Sequence, residues 1–325
     1  MRVITHNVNG IRAAARRGFT DWLAHADADV VALQEVRAPV EALPLEVFGD
    51  YHVVYDPGTL AGRNGVALLT RAPVAGHAAW PGRVFAWGPG EIPAPAPAAP
   101  PEPLDETLAG FGHEGRWVQA DLADAPVTVV SLYLPKGGVP GELVRGRSRE
   151  GRTAEQEQAR YERKQAFMAG LARHVGRLQA EAAARGREVL IVGDYNIAHA
   201  PSDLANWRTN QATDGFLPAE RAWFDALVGA HASSDRLPPP ARNPDAPAEG
   251  ALVDVVRRLH PEDDGPYSWW SWRGQAFTND VGWRIDYHLA TPRLAATARR
   301  AWVDRAATYD GRISDHAPVG VDYEV

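Results

Sequence analysis

Short apolar runs rich in β-branched residues recur along the whole of this 325-residue chain, and several end in an acidic, amide or imidazole side chain. Such short runs between turn-forming residues are typical of buried β-strands. The predicted strands span residues 2–6, 30–34, 51–55, 66–70, 117–122, 127–134, 189–193, 284–290 and 317–322. The chain is therefore expected to fold around sheets with polar groups gathered at strand ends.

Helical segments alternate irregularly with these strands. The predicted helices cover residues 11–26, about 154–184 and 219–228. The second begins with the capping-box pattern Thr153-x-x-Gln156, and the third follows Pro218. Strands and helices mixed in this way predict one α/β sandwich domain over residues 1–325.

Three segments are predicted to be surface insertions in that domain. They lie near residues 88–103, rich in Pro and Ala, 137–152, rich in Gly and Arg, and 237–250, rich in Pro. The middle segment carries four arginines, at positions 145, 147, 149 and 152. It is either a basic flap over a nucleic acid or a solvated loop.

Composition restricts the chemistry. The absence of cysteine excludes disulfides and thiolate catalysis and leaves a metal site to oxygen and imidazole ligands. The net charge of −7 requires that any DNA binding come from a local patch. No leader pattern and no membrane-length apolar run are evident, so we expect a cytoplasmic protein that does not bind membranes.

Two strand ends carry groups suited to phosphodiester hydrolysis. Glu35 follows the strand at 30–34 and suits the principal Mg²⁺ ligand, although a solvated carboxylate is the alternative. Asp194 and Asn196 lie two residues apart and hence on one side of a persisting strand. Asp194 can orient or deprotonate water while Asn196 donates to a phosphate oxygen or holds the aspartate; an Asx turn is the alternative.

Five more polar residues complete the predicted site. Asp286 can hold the His316 imidazole in one tautomer and favour its charged form. Asp315 and Asn7 can reach the metal from other strand ends. Tyr133 ends an apolar strand and is expected to donate a hydrogen bond to the phosphate, unless it is simply a core tyrosine.

Six motifs, in order and spacing, resemble the exonuclease III family of apurinic/apyrimidinic (AP) DNA endonucleases, and the resemblance covers nearly the whole chain. They are Asn7-Val8-Asn9-Gly10, Leu33-Gln34-Glu35, Tyr133-Leu134-Pro135, Gly193-Asp194-Tyr195-Asn196-Ile197, Gly282-Trp283-Arg284-Ile285-Asp286-Tyr287 and Ser314-Asp315-His316. The resemblance implies a four-layer α/β sandwich in which two packed mixed β-sheets are flanked by helices.

The same resemblance implies roles for the matched residues. The catalytic set would be Tyr133, Asp194, Asn196, Asp286 and His316, and the metal set Asn7, Glu35, Asp194, Asn196, Asp315 and His316. Trp269, Trp283 and Ile285 would line a pocket for an extruded base-less sugar, a device that selects damage by fit and by ease of flipping. Arg12, Arg16, Arg17 and Arg284 would hold the DNA backbone.

Two residues depart from the family pattern. Lys136 stands where a neutral polar residue is usual, and His6 replaces the usual aromatic residue before Asn7. Lys136 leaves phosphate contact or product release near Tyr133 open, and the long Gly/Arg insertion after it leaves DNA-strand preference and processivity open.

The sequence thus predicts a monomeric, Mg²⁺-dependent DNA-repair nuclease, with Mn²⁺ as the substitute cation. Its expected substrate is double-stranded DNA with abasic sites or blocked 3′ ends, cut 5′ to the abasic site, with 3′–5′ exonuclease and 3′-end-cleaning activity. One alternative keeps the fold but acts on inositol phosphates or lipid phosphodiesters. The other is a DNA-binding scaffold without catalysis.

Overall fold

The computed structural model describes residues 1–60, 62–98, 104–148, 150–229 and 252–325. These residues form two β-sheets with helices packed on their outer faces. The predicted insertion at 237–250 lies outside the described residues.

The first sheet has eight strands in the order β13-β14-β1-β2-β4-β3-β6-β7. Its strands are β1 (Arg2–Asn7), β2 (Val30–Gln34), β3 (His52–Asp56), β4 (Val66–Thr70), β6 (Arg83–Trp87), β7 (Ala94–Pro97), β13 (Ala298–Val303) and β14 (Val319–Tyr323).

The second sheet has six strands in the order β11-β12-β10-β9-β8-β5. Its strands are β5 (Val74–Ala79), β8 (Trp117–Leu122), β9 (Val127–Tyr133), β10 (Glu188–Asp194), β11 (Val253–Asp254) and β12 (Asp286–Ala290). Each sheet contains one parallel pair near its centre, β1 with β2 and β9 with β10.

Eight α-helices are described. They are α1 (Ile11–Arg16), α2 (Phe19–His25), α3 (Glu106–Ala109), α4 (Ala154–Ala184), α5 (Trp207–Asn210), α6 (Pro218–Val228), α7 (Val255–Leu259) and α8 (Pro292–Ala296). Short 3₁₀ helices span Val40–Ala42, Leu45–Phe48, Gly141–Leu143 and Pro201–Asp203. In the part of the chain that is described, no helix has the length and apolarity needed to cross a membrane.

Alternating side chains explain the layering. In β2, Val30 and Ala32 join the core between the sheets, whereas Val31 and Leu33 join the core beneath α1 and α2. The strands of the second sheet alternate in the same way between the inter-sheet core and the core beneath α4 and α6. Both faces of the central strands are therefore buried, and this accounts for their unbroken apolar sequences. The predicted α/β sandwich of two mixed sheets with flanking helices is confirmed.

Two features of local structure differ from the prediction. The helix predicted at 11–26 is two helices, because Gly18 adopts a left-handed φ of 94° between α1 and α2. The Pro-Ala segment predicted as part of a surface insertion contains β7, which pairs with β6 at the edge of the first sheet. Prolines are tolerated there because an edge strand leaves amide positions unpaired. The Thr153–Gln156 capping box, by contrast, forms as predicted.

Acid should destabilise the fold through buried histidines such as His288. Burial lowers the pKa of His288 to about 4, while its Nε2 lies 3.0 Å from the Val319 carbonyl oxygen. In the unfolded chain the pKa is about 6.5, so between those values the unfolded state binds the additional proton and the free energy of unfolding falls as pH falls. Urea titrations from pH 7 to pH 4 should give a shallower pH dependence for His288→Asn than for the parent. The exposed His113→Asn is the control, and equal slopes for both variants would contradict the assignment.

Candidate active site

The polar residues at the ends of the two parallel strand pairs meet across the sheets. Asn7 ends β1, and its amide Nδ2 donates to Glu35 Oε1 at 3.0 Å and to Asp194 Oδ2 at 2.8 Å. Asn7 and Asp194 are at most 1% exposed, and Glu35 is 8% exposed. One side chain of the first sheet therefore joins a carboxylate of its own sheet to one of the second sheet.

The backbone around this junction is held in rarely populated conformations. Asn9, Glu35 and Asn196 all have left-handed φ values, of 47°, 51° and 49°. Gly193 has a φ of 144°, and a Cβ atom added there would lie 1.9 Å from the Leu132 carbonyl oxygen. Strained positions of this kind persist only where the surroundings fix them, and they cluster at functional sites.

Asp286 and His316 form a buried pair beside Asp194. His316 Nδ1 donates to Asp286 Oδ2 at 2.9 Å, and its Nε2 lies 3.8 Å from Asp194 Oδ2. Burial alone would lower the pKa of His316, but the charges of Asp286 and Asp194 outweigh it and raise that pKa to about 10. The two carboxylates therefore favour the charged form of the imidazole at neutral pH.

The carboxyl group of Asp194 has a pKa close to neutral pH. Burial raises its pKa to about 7; the His316 charge opposes this shift, and the charges of Asp286 and Glu35 add to it. Its oxygens accept hydrogen bonds from the Asn196 backbone amide at 2.8 Å and from Asn196 Nδ2 at 3.3 Å.

Tyr133 is buried beside these carboxylates. Burial raises its pKa well above the ordinary value, and the charges of Glu35 and Asp194 add to that shift. The Arg116 guanidinium lies 5.1 Å from the centre of the phenol ring and lowers the pKa, but too weakly to reverse the shift. These influences favour the protonated phenol, which can donate a hydrogen bond.

Asp315 is hydrogen-bonded to residues outside the Asp194 cluster. Its carboxylate accepts from Asn9 Nδ2 at 2.7 Å and from Trp269 Nε1 at 3.1 Å. It therefore connects the loop after β1 with the tryptophan-rich segment, one residue before His316.

The donor set suits a hard divalent cation. Ligand atoms of Asp194, Asp286 and His316 all lie within 4.8 Å of one another. Asp286 Oδ1 is buried and has no hydrogen-bond partner among the described residues, and Glu35 brings a further carboxylate to Asn7. Oxygen ligands with a single imidazole fit Mg²⁺ or Mn²⁺ better than a soft metal.

Three supporting residues were not singled out from sequence. Ser268 Oγ donates to Asp286 Oδ2 at 2.6 Å and accepts from the backbone amides of Ile285 and Asp286. Arg37 forms an ion pair with Glu35. Asn9 lies within a recognised motif, whereas Ser268 and the partly exposed Arg37 belong to no pattern that spacing could reveal.

Trp269, Trp283 and Ile285 are brought together next to His316. The two indoles meet edge to face with centroids 6.3 Å apart, and both pack with the buried Ile285. The Trp269 backbone forms isolated bridges to both Trp283 and His316. The tryptophans are only partly buried, so the group opens to solvent beside the polar cluster.

Three of the four predicted DNA-binding arginines are exposed, but Arg284 is not. Arg12, Arg16 and Arg17 lie on or just after α1, which directly follows the Asn7 loop. Arg284 is 1% exposed and forms ion pairs with Asp203 and Asp254 at 2.8 Å each. The prediction that it holds the DNA backbone is wrong, because alternation places it opposite its neighbours Trp283 and Ile285.

Comparison with known proteins agrees with this geometry. Residues 4–316 match the model of the endonuclease/exonuclease/phosphatase family. An exodeoxyribonuclease of Bacillus subtilis is 26% identical over 98% of both chains. Exodeoxyribonuclease III of Haemophilus influenzae is 27% identical over the full length of both.

Solved structures extend the likeness to the fold. An AP endonuclease from Archaeoglobus fulgidus superposes with a TM-score of 0.67 at 22% identity, with both chains fully covered. A 3′ phosphatase from Neisseria, bound to product DNA hairpin, gives 0.70 at 23% identity, again with both chains fully covered.

The chain therefore belongs to the endonuclease/exonuclease/phosphatase family. Within that family its resemblance is to the exonuclease III and AP endonuclease type, and it is a hydrolase of the nuclease class.

Gly193→Ala should be among the most damaging single changes in the protein. The added methyl would collide with the Leu132 carbonyl and would require a φ of 144° from a residue with a side chain. We expect a loss of more than ~3 kcal/mol in the free energy of unfolding, measured by urea denaturation. Gly176→Ala on α4 is the matched control, since nothing lies within 4 Å of its added methyl. It should instead be neutral or stabilising by up to ~1 kcal/mol; similar effects of the two changes would contradict the steric argument.

Proposed function

We propose that this enzyme is a Mg²⁺-dependent AP endonuclease that cuts double-stranded DNA on the 5′ side of an abasic site and leaves a 3′-hydroxyl. It also trims 3′ ends and removes blocking groups from them. The observation that carries the proposal is the buried convergence of Asn7, Glu35, Asp194 and the Asp286–His316 pair beside the Trp269–Trp283 group.

The cation is assigned to the carboxylates of this cluster. Glu35 is the principal ligand, with support from Asn7, Asp194, Asn196 and Asp315, whereas a cationic His316 has no free lone pair for a metal. When bound, Mg²⁺ or its substitute Mn²⁺ neutralises charge on the phosphate and on the departing oxygen. The ion pair between Arg37 and Glu35 supplies positive charge at the same carboxylate.

The remaining groups act on the water and the phosphate. Asp194 orients the attacking water and takes its proton, a role that suits a carboxylate with a pKa of about 7. Asn196 holds the Asp194 carboxylate through its side-chain amide, and the protonated Tyr133 donates to a phosphate oxygen. His316, kept cationic by Asp286, stabilises the charge that develops on the phosphoryl group.

Selection of damage is assigned to the indole group. An abasic nucleotide is easily extruded because it has no base to unstack, and a hollow walled by Trp269, Trp283 and Ile285 fits a bare deoxyribose. Exposed Arg12, Arg16 and Arg17 supply a local basic surface on a protein whose net charge is −7. The names of relatives, including a DNA repair nuclease of Danio rerio that is 25% identical over 98% of this chain, support DNA as the substrate. We infer that the enzyme acts as a cytoplasmic monomer.

The direct test is incision of a duplex with a single tetrahydrofuran abasic analogue, with Mg²⁺, with Mn²⁺ and with chelator. We expect metal-dependent cleavage on the 5′ side of the analogue, and slower trimming of a recessed 3′ end and of a 3′-phosphate. An inositol phosphate and a lipid phosphodiester serve as competing substrates. Lack of incision, or preference for either competitor, would refute the proposal.

Asp194→Asn should separate catalysis from binding. The amide cannot accept a proton from water, so kcat should fall by about 10²-fold or more, while DNA affinity stays within a few-fold of the parent. Single-turnover incision and fluorescence anisotropy measure the two quantities. The exposed Asp50→Asn controls for loss of one negative charge, and equal losses of rate and affinity in Asp194→Asn would contradict the role.

Trp283→Ala should weaken the selection of abasic sites more than it slows phosphodiester cleavage in general. Removal of one wall of the hollow should lower the rate on the abasic duplex more than the rate of 3′-end trimming, and the ratio of the two rates measures this. Trp302→Ala, at a half-buried tryptophan that packs against Arg2 and Arg300, is the control. A parallel fall of both rates in Trp283→Ala would refute the assignment.

A further inference from the structure

A fully buried lysine lies directly behind the candidate active site. Lys164 of α4 is 1% exposed. Its Nζ is 3.0 Å from Asp214 Oδ1, 2.6 Å from Glu220 Oε1 and 3.0 Å from the backbone carbonyl oxygen of Asn196. An ammonium has three donors, and each has one acceptor here. The third acceptor belongs to a residue of the site itself.

The carboxylates of Asp214 and Glu220 also accept hydrogen bonds from the loops around the site. Asp214 Oδ2 accepts from the Gly137 amide at 3.0 Å, in the turn that follows Tyr133. Glu220 Oε2 accepts from the amides of Gly215 and Leu217, at 2.8 and 2.9 Å. One buried cluster therefore holds the turn after β9, the loop before α6 and the loop after β10.

Each of these loops supports a different part of the site. Asn196 sits at a left-handed φ of 49°, with its amide on the Leu134 carbonyl and on Asp194. At Gly215, an added Cβ would lie 3.0 Å from the Asn196 carbonyl oxygen and 3.3 Å from Trp283 Cζ3. The loop before α6 is thus packed between Asn196 and the wall of the indole group.

We propose that Lys164 is a positioning residue, whose buried ammonium holds the Asn196 backbone so that the Asn196 side-chain amide stays on the Leu134 carbonyl and on the Asp194 carboxylate. The inference rests on the proposed function, since it assumes that Asp194 orients the attacking water. Burial of a charge here yields little net stability, but it fixes one arrangement among several.

The test must remove the ammonium without leaving two buried carboxylates unpaired. We therefore choose the triple variant Lys164→Met, Asp214→Asn, Glu220→Gln, in which the amides keep acceptors for Gly137, Gly215 and Leu217. A small displacement of a catalytic group lowers rates by up to ~10²-fold, so kcat on the abasic duplex should fall ~10- to 100-fold. The KM for DNA should stay within about threefold, because no DNA-facing group changes.

The matched control is Trp223→Phe. Trp223 Nε1 donates to the Met168 carbonyl at 2.8 Å, a contact that joins α6 to α4 without touching Asn196. It should lower the unfolding temperature with kcat unchanged. If the triple variant does not fold, Glu220→Gln alone presents an amide N–H to Lys164 and should lower kcat in the same direction.

The outcomes separate the two proposals. Absence of metal-dependent incision by the parent enzyme refutes the proposed function. Incision by the parent together with an unchanged kcat in a folded triple variant, or in folded Glu220→Gln if the triple variant does not fold, overturns the role of Lys164. An equal fall in kcat for Trp223→Phe also overturns it, since the effect would then reflect general loosening of α4 and α6.

Discussion

The Asn7 amide is the contact on which the geometry of the site depends. Its two hydrogens bond to Glu35 and Asp194, which stand on different sheets and would repel each other if left alone. Asp194 also accepts from Asn196 and Glu35 is paired with Arg37, but the Asn7 amide is the donor that the two carboxylates share. Relative movement of the sheets would break at least one of these bonds. The position of the two carboxylates is therefore tied to the packing of the whole sandwich.

A short polar seam between the sheets reinforces that link. Gln34 accepts from Thr5 Oγ1 at 3.1 Å and donates to Ser131 Oγ at 2.9 Å, and Ser131 in turn donates to the Leu33 carbonyl. All three side chains are fully buried in an otherwise apolar interface. Because successive side chains of a strand face opposite sides, a slip of one residue in β1, β2 or β9 would bury these groups without partners. The seam thus fixes the register that delivers Asn7, Glu35 and Tyr133.

The sequence predicted those elements correctly whose local residue pattern agrees with their position in the fold. The central strands are apolar on both faces, so β2 and β4 were predicted residue for residue, and so was the capping box of α4. The edge strands β5, β7 and β13, and β6 next to an edge, carry Gly, Pro, Arg or His and show no clear period, because only part of each is buried. Arg284 was misplaced for a related reason: its burial depends on Asp203 and Asp254, which are distant in sequence.

Buried ion pairs stabilise the loops that apolar packing does not hold in place. The loops that hold Trp283 and Ile285 are anchored by Asp203, on which both Arg284 and Arg257 converge, and these charges hold the pKa of Asp203 well below its usual range even though burial opposes them. Such pairs add little net stability but exclude alternative loop arrangements. Trp269 and Trp283 are only partly buried, so apolar packing holds them on one face alone. Buried charges next to them add rigidity, since Arg284 directly follows Trp283 and pairs with Asp203.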